Sequence, residues 1–391
     1  MLFQRVHALR RAAASPQYTL NCARFISDVV APVKPRSYKN IFSGIQPTGV
    51  PHLGNYLGAL RQWVKLQNEA DNKTNLYFSI VDLHAITVHQ NAEQLRRWRK
   101  EMLVSLYAVG LDPARSVIFC QSMVPQHSEL MWILSCHASM GYLSRMTQWK
   151  SKLSLPENAS PLDATPKDKP ALRLGLFSYP VLQAADVLLY GTTHVPVGED
   201  QAQHLEFTRE LAASFNHAHS TTVFNQPETI LSPAKRVMSL TNPTKKMSKS
   251  DADVKSRILI TDEKDVIEKK IKSALTDSIE GVAYDRDARP GVSNLIDIMY
   301  YMDESVAASP EELARDFKDV SMRALKERVA EVVDKNIEPV RTTYNDIMAK
   351  DERDRYLTDE ATHGAWKAKS QAGRKMEVVR SIMGLQRTFE A

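Results

Sequence analysis

Ile41-Phe42-Ser43-Gly44-Ile45-Gln46-Pro47-Thr48-Gly49, followed closely by His52-Leu53-Gly54-Asn55, decides how this chain folds. Ile41-Phe42-Ser43 reads as a short apolar strand ended by Gly44, and Gln46-Pro47-Thr48-Gly49 has the proline and glycine of a turn. A helix is expected over residues 52–70, with Leu53, Leu57, Leu60, Val64 and Leu66 near one face. A strand that passes through a tight turn into a helix presents backbone N–H groups and the positive end of a helix dipole, an arrangement that suits an anion.

The alternation continues outward from that stretch. Residues 75–88 contain a buried strand, residues 92–109 a helix stopped by Gly110 and Pro113, and residues 116–121 a third strand. Strands alternating with helices imply a doubly wound, Rossmann-like α/β fold, a parallel sheet covered on both faces that binds ligands at the carboxyl ends of its strands. Residues 154–171 hold four prolines without periodicity and read as a mobile surface loop. Helices are expected over 174–190 and 200–215, separated by the compact stretch His194-Val195-Pro196-Val197-Gly198-Glu199-Asp200. Beyond Ser250 the pattern becomes amphipathic helix; in residues 322–348, Leu325, Val329, Val332, Val333, Ile337, Val340, Tyr344 and Ile347 recur at helical spacing. The division expected is a catalytic α/β domain over 38–250 and an all-helical domain over 251–391.

Charge locates a third segment. The chain of 391 residues carries a net +5, and residues 1–38 account for it, with Arg5, Arg10, Arg11, Arg24, Lys34 and Arg36 against Asp28 alone. Leu2, Val6, Leu9 and Ala13 share a helical face there, as in a mitochondrial transit peptide over 1–37 that directs the chain to the matrix. No apolar run reaches the roughly 18 residues of a membrane span, so no membrane partner is expected. Cys22, Cys120 and Cys136 lack metal-ligand spacing; Cys120 and Cys136 read as ordinary buried thiols, and no structural metal is expected.

Three separated segments carry chemistry. In His52-Leu53-Gly54-Asn55, Gly54 leaves room for a nucleotide against the backbone, and the flanking polar groups can reach phosphates. In Val197-Gly198-Glu199-Asp200-Gln201, a glycine beside two carboxylates suits the two hydroxyls of a ribose. Lys245-Lys246-Met247-Ser248-Lys249-Ser250 places mobile ammonium groups on a short loop, where Lys246 and Lys249 can follow a polyphosphate as charge shifts; taken alone, it is equally a solvated basic loop.

Taken together in this order and spacing, the segments resemble those of class I aminoacyl-tRNA synthetases, with His52–Asn55 as the "HIGH" element and Lys246–Ser250 as "KMSKS". Phe42–Gly49, Val81-Asp82-Leu83-His84-Ala85-Ile86-Thr87, Arg145-Met146-Thr147-Gln148, Tyr179-Pro180-Val181-Leu182-Gln183-Ala184-Ala185-Asp186 and Val195–Gln201 are similar to the bacterial and organellar tryptophanyl branch. The resemblance implies a homodimer that activates tryptophan with ATP and Mg²⁺ and transfers it to tRNA(Trp), its C-terminal helices meeting the anticodon. It implies that Gln46, Pro47, Thr48, Gly54 and Asn55 hold ATP, that Gly198, Glu199 and Asp200 hold its ribose, and that the backbone at Val237 faces adenine. Lys246, Met247, Ser248, Lys249 and Ser250 would close on the pyrophosphate, with His52 and Lys152 also reaching phosphates.

Asp186 matches the family position that accepts the indole N–H, a role its apolar neighbours Leu182, Val187, Leu188 and Leu189 suit. Phe42, Val195 and Val197 would wall the ring, Tyr179 and Gln201 would meet the α-amino group, and His84 and Gln183 would complete the pocket. Two positions depart from common bacterial members, which have Thr where His52 stands and Met where Gln183 stands. Tyrosine activation on the same scaffold and a non-catalytic RNA-binding paralogue are the competing readings. The intact Lys246, Lys249, Gly54, Asn55 and Asp200 weigh against the second.

Overall fold

A computed structural model describes residues 38–153, 172–198, 201–231, 236–249, 251–303 and 305–386. The expected transit peptide, the proline-rich loop over 154–171, Glu199, Asp200 and Ser250 lie outside the described residues, as does the side chain of Lys152. Residues 38–391 form one compact unit.

The chain begins with β1 (Lys39–Ile45), which pairs in parallel with β2 (Thr74–Ile80), Ile41 opposite Leu76 and Phe42 opposite Tyr77. Between them run α1 (Leu53–Asn55), a π-turn (Tyr56–Leu60) and α2 (Arg61–Glu69) as one helical path. The π-turn inserts a residue and rotates the helical phase; Trp63 and Gln67 are fully buried, and Val64 and Leu66 pack half-buried against the same core. Next come α3 (Asp82–Ala85), α4 (Ala92–Ala108) and β3 (Val117–Cys120), which pairs in parallel with β2. The chain then forms α5 (Gln126–Ser135), α6 (Met140–Arg145), α7 (Thr147–Lys152) and α8 (Leu174–Leu188) before β4 (His194–Val197), α9 (Ala202–Ala218) and β5 (Glu228–Leu231).

The sheet is parallel throughout, in the order β3-β2-β1-β4-β5. The β4 strand inside 194–200 was hidden by Pro196, which has no N–H for a ladder. The Pro196 carbonyl is nonetheless engaged, accepting the Ser43 hydroxyl at 3.0 Å. Cys136 differs from expectation: it caps the exposed end of α5, whereas Cys120 is buried at the end of β3.

Alternate strand residues feed two cores, as a pleat with a period of two requires. Ile41, Leu76, Phe78, Ile80 and Ile118 point to one face, which α2 and α4 cover. Phe42, Tyr77, Phe119 and Val195 point to the other, against α5, α8 and α9. The later helices α10 (Lys264–Lys272), α11 (Pro290–Met302), α12 (Pro310–Asp316) and α13 (Met322–Asp354) join the first core, with Leu325, Val329, Val333 and Ile337 of α13 buried. The last helix, α14 (Tyr356–Ile382), lies against edge strand β3 and contributes Ala365, Ala368, Ala372 and Met376 to the second core. Covering β3 in this way removes an open edge that would otherwise be free to pair with another chain.

Candidate active site

The chain order reverses at β1: β2 and β3 lie on one side, β4 and β5 on the other. The carboxyl ends of β1 and β4 therefore bound the crevice where doubly wound sheets take ligands. Residues 46–49 leave β1 there, and Gly198 leaves β4 beside them.

At the β1 turn, Gly49 turns the chain with φ +92° under Trp98 of α4, a conformation that side chains avoid. His52 caps α1: its Nδ1 accepts the Asn55 N–H at 3.3 Å, while the Asn55 side-chain oxygen accepts the His52 N–H at 3.2 Å. Burial, then the positive charges of Lys249, Lys246 and Arg257, lower the His52 imidazole to about 3. The ring is neutral at physiological pH, and because Nδ1 accepts, its proton sits on Nε2, making His52 an uncharged donor beside three cations. A side chain at Gly54 would strike that ring, so the glycine seats His52 as well as keeping the backbone open.

The Lys-rich loop is anchored along its length, beginning with the Lys245 carbonyl, which accepts the Ser239 N–H at 2.8 Å. Met247 is buried, and its N–H donates to the Val237 carbonyl at 3.0 Å. The Lys249 ammonium donates to the Gly49 carbonyl at 2.7 Å. Burial lowers Lys249 to about 8, opposed by the carboxylate of Glu101 on α4. Lys246, also on the loop, is exposed. The structure thus brings the first and third sequence segments together.

On the other side of β1, Asp186 of α8 is 1% exposed and accepts three side-chain hydrogen bonds. Its Oδ1 accepts from Gln121 Nε2 and His127 Nδ1, both at 2.6 Å, and its Oδ2 from His84 Nε2 at 2.7 Å. Burial by itself would raise this carboxyl, but hydrogen bonds from His127 and His84 outweigh it and hold the group below the usual carboxylate range. A charge this deep persists only when so compensated. His84 sits just after β2 and Gln121 just after β3, on the same carboxyl edge as the β1 turn.

Tyr179, one helical step from Gln183 on α8, donates its hydroxyl to Gln148 at 2.9 Å and lies 3.2 Å from His204 Nε2. Gln183 donates to Gln201 at 3.2 Å. His204 Nδ1 lies 3.2 Å from Gln201 Oε1, so Tyr179, Gln183 and Gln201 are joined through His204. Val195 is buried on β4 and Val197 is half-buried. Phe42, also buried, stacks on Tyr190 with centroids 5.6 Å apart. Gln121, His127, Tyr190, His204 and Arg257 were not anticipated from the sequence. Gln121 did carry one readable signal, its place at the carboxyl end of a strand.

Residues 35–338 match the family model described as "tRNA synthetases class I (W and Y)". The protein described as the mitochondrial tryptophan–tRNA ligase of Schizosaccharomyces pombe is 45% identical over 352 residues, covering 89% of this chain and 96% of that protein. The crystal structure of tryptophanyl-tRNA synthetase from Mycoplasma pneumoniae matches with a TM-score of 0.77 at 30% identity, covering 90% of this chain and 99% of that one. The Campylobacter jejuni enzyme complexed with ADP and tryptophan matches with a TM-score of 0.70 at 30% identity, covering 88% and 100%. The chain therefore belongs to the class I tRNA synthetases of the tryptophan and tyrosine group.

Proposed function

We propose that the chain is a tryptophan–tRNA ligase: it activates L-tryptophan with ATP to tryptophanyl-adenylate and pyrophosphate, then transfers tryptophan to tRNA(Trp). The observation that carries the tryptophan assignment is the buried, ionised Asp186 at the edge of the crevice. An indole has one donor and no acceptor, so an acceptor-only carboxylate selects it over phenylalanine, which would leave the open acceptor direction of Oδ2 unfilled.

Activation is in-line attack of the tryptophan carboxylate on the α-phosphate. A carboxylate is already ionised and needs no general base, so the chain's contribution is positioning and charge stabilisation. Gln46, Pro47, Thr48, Gly54 and the capped Asn55 hold ATP, with Gly198, Glu199 and Asp200 at the ribose and Val237 at adenine. Lys249 leaves the Gly49 carbonyl for the departing pyrophosphate, joined by Lys246, Lys152, Ser248 and Ser250, while buried Met247 holds the loop through the Val237 carbonyl and His52 donates through Nε2. Phe42, Val195 and Val197 wall the tryptophan ring, Gln183 lies beside it, and Tyr179 and Gln201 face the α-amino group. His84 shares the indole-facing oxygen of Asp186. Among the described residues no cluster of His, Cys, Asp or Glu could hold a metal. The phosphate-facing groups are donors and cations, so Mg²⁺ fits as a companion of ATP rather than a resident of the chain; it neutralises phosphate charge when bound.

Residues 38–250 act as the catalytic part and 251–391 as the tRNA-binding part, with reaction in the mitochondrial matrix after removal of a transit peptide over 1–37. On α14, Lys367 and Lys375 are engaged by the carbonyls of Pro113 and Val223, which leaves exposed Lys369 and Arg374 beside exposed Trp366 as the RNA-facing set. A homodimer is supported by α5, where Trp132 is 72% exposed, with Met140 exposed nearby in sequence. The test is ATP–pyrophosphate exchange by the purified protein with tryptophan and tyrosine assayed separately. Tryptophan-dependent exchange is expected, and exchange driven by tyrosine or by neither would overturn the assignment.

A further inference from the structure

Asp186 does not stand alone in its contacts, and one of them continues. His127 is fully buried; its Nδ1 lies 2.6 Å from Asp186 Oδ1, and its Nε2 lies 2.8 Å from the Tyr190 hydroxyl. One ring proton satisfies both contacts: the Tyr190 O–H donates to Nε2, and the Nδ1 proton donates to the carboxylate. Tyr190 is in turn fixed by rings on three strands, at 5.6 Å from Phe42, 4.6 Å from Tyr77 and 5.6 Å from Phe119. The sheet thus holds a phenol, the phenol orients an imidazole, and the imidazole orients a carboxylate.

The lone pairs of Asp186 are divided unequally. Oδ1 already accepts two protein bonds, from Gln121 and His127, whereas Oδ2 accepts one, from His84. A carboxylate oxygen has two lone-pair directions, so a further donor finds its place on Oδ2, and the geometry on Oδ1 determines where Oδ2 points.

We propose that His127, oriented by Tyr190, is a positioning residue for amino-acid selection: it fixes the rotation of the Asp186 carboxylate so that Oδ2 faces an incoming indole N–H. This rests on the reading of Asp186 as the indole acceptor. Neither residue touches the nucleotide side. Their loss therefore affects recognition of the N–H and leaves ATP binding and the chemical step in place.

The test uses the full chain in ATP–pyrophosphate exchange with two amino acids, tryptophan and its benzothiophene isostere, in which sulfur replaces the N–H. Tyr190→Phe removes one hydroxyl and keeps the stacked rings. It is expected to raise the tryptophan KM about three- to tenfold, the worth of one hydrogen bond, and to narrow the preference for tryptophan over the isostere by the same factor, with kcat and the ATP KM unchanged. His127→Ala should do more. His127→Asn, whose amide nitrogen can stand near the Nδ1 position, should restore part of the preference. Equal weakening of tryptophan and the isostere in Tyr190→Phe and His127→Asn would mean a merely structural role, and no change in either would mean none; each overturns the proposal. An Asp186→Asn control separates the layers. If it leaves the preference intact, the underlying reading of Asp186 fails; if it abolishes the preference while the other variants do not, only the positioning role fails.

Discussion

The two halves of the proposed site are built in opposite ways. The half proposed for the nucleotide consists of contiguous segments, the turn over 46–49, the cap His52–Asn55 and the loop over 245–249, joined by bonds such as Lys249 to Gly49. The amino-acid half draws Asp186, His84, Gln121 and His127 from four separate segments into one buried network. A half that must follow shifting phosphate charge needs movable cations on loops. A half that must tell one aromatic side chain from another needs an acceptor fixed on rigid elements.

That contrast predicts separable effects. Lys249→Ala should be the most damaging change, lowering the rate of adenylate formation about a hundred- to a thousandfold, typical of losing a preorganised charge at the reacting centre, with little change in the tryptophan KM. Single-turnover measurement decides it, and a normal rate would remove the loop from the mechanism. Asp186→Ala should come next, raising the tryptophan KM about ten- to a hundredfold, the range for a hydrogen bond to a charged group, while the ATP KM holds. Circular dichroism should show the variant still folded; a matched rise in both KM values would break the division between the halves.

The smallest effect concerns pH. Lys249 is charged in the free enzyme below about 8 and loses its proton above, because burial disfavours the ammonium. The ratio kcat/KM for ATP, which reports the free enzyme, should therefore fall as pH rises past about 8. Glu101 favours the charged form, so Glu101→Gln should move that descending limb to lower pH. A limb that stays in place, or moves upward, would show that Glu101 has no hold on the loop.

The same contrast explains what was legible in the sequence. The Lys-rich loop, the turn over 46–49 and Asp186 lie within short segments whose residue types already suggest their chemistry, and alternating strand and helix signals disclosed the parallel sheet. The π-turn at Tyr56–Leu60 was not legible, because it changes helical phase without any marker residue, and the full burial of Trp63 and Gln67 went unread beside Val64 and Leu66, which pack half-buried against the same core. β4 was obscured by Pro196, which has no N–H for a ladder, and the Ser43 hydroxyl that engages its carbonyl lies more than a hundred and fifty positions away, a relation that no local pattern records. Gln121, His127 and Tyr190 stayed hidden because their function is to act on another residue. Only the topology, which sets the ends of β2 and β3 beside α8, brings them within reach of Asp186.

The most direct test of the whole account is charging of a tRNA(Trp) transcript by the purified protein with labelled tryptophan and ATP. The account predicts tryptophanyl-tRNA and one AMP for each tryptophan transferred, with tyrosine giving no charged product. Absence of charging, or attachment of tyrosine in its place, would contradict it.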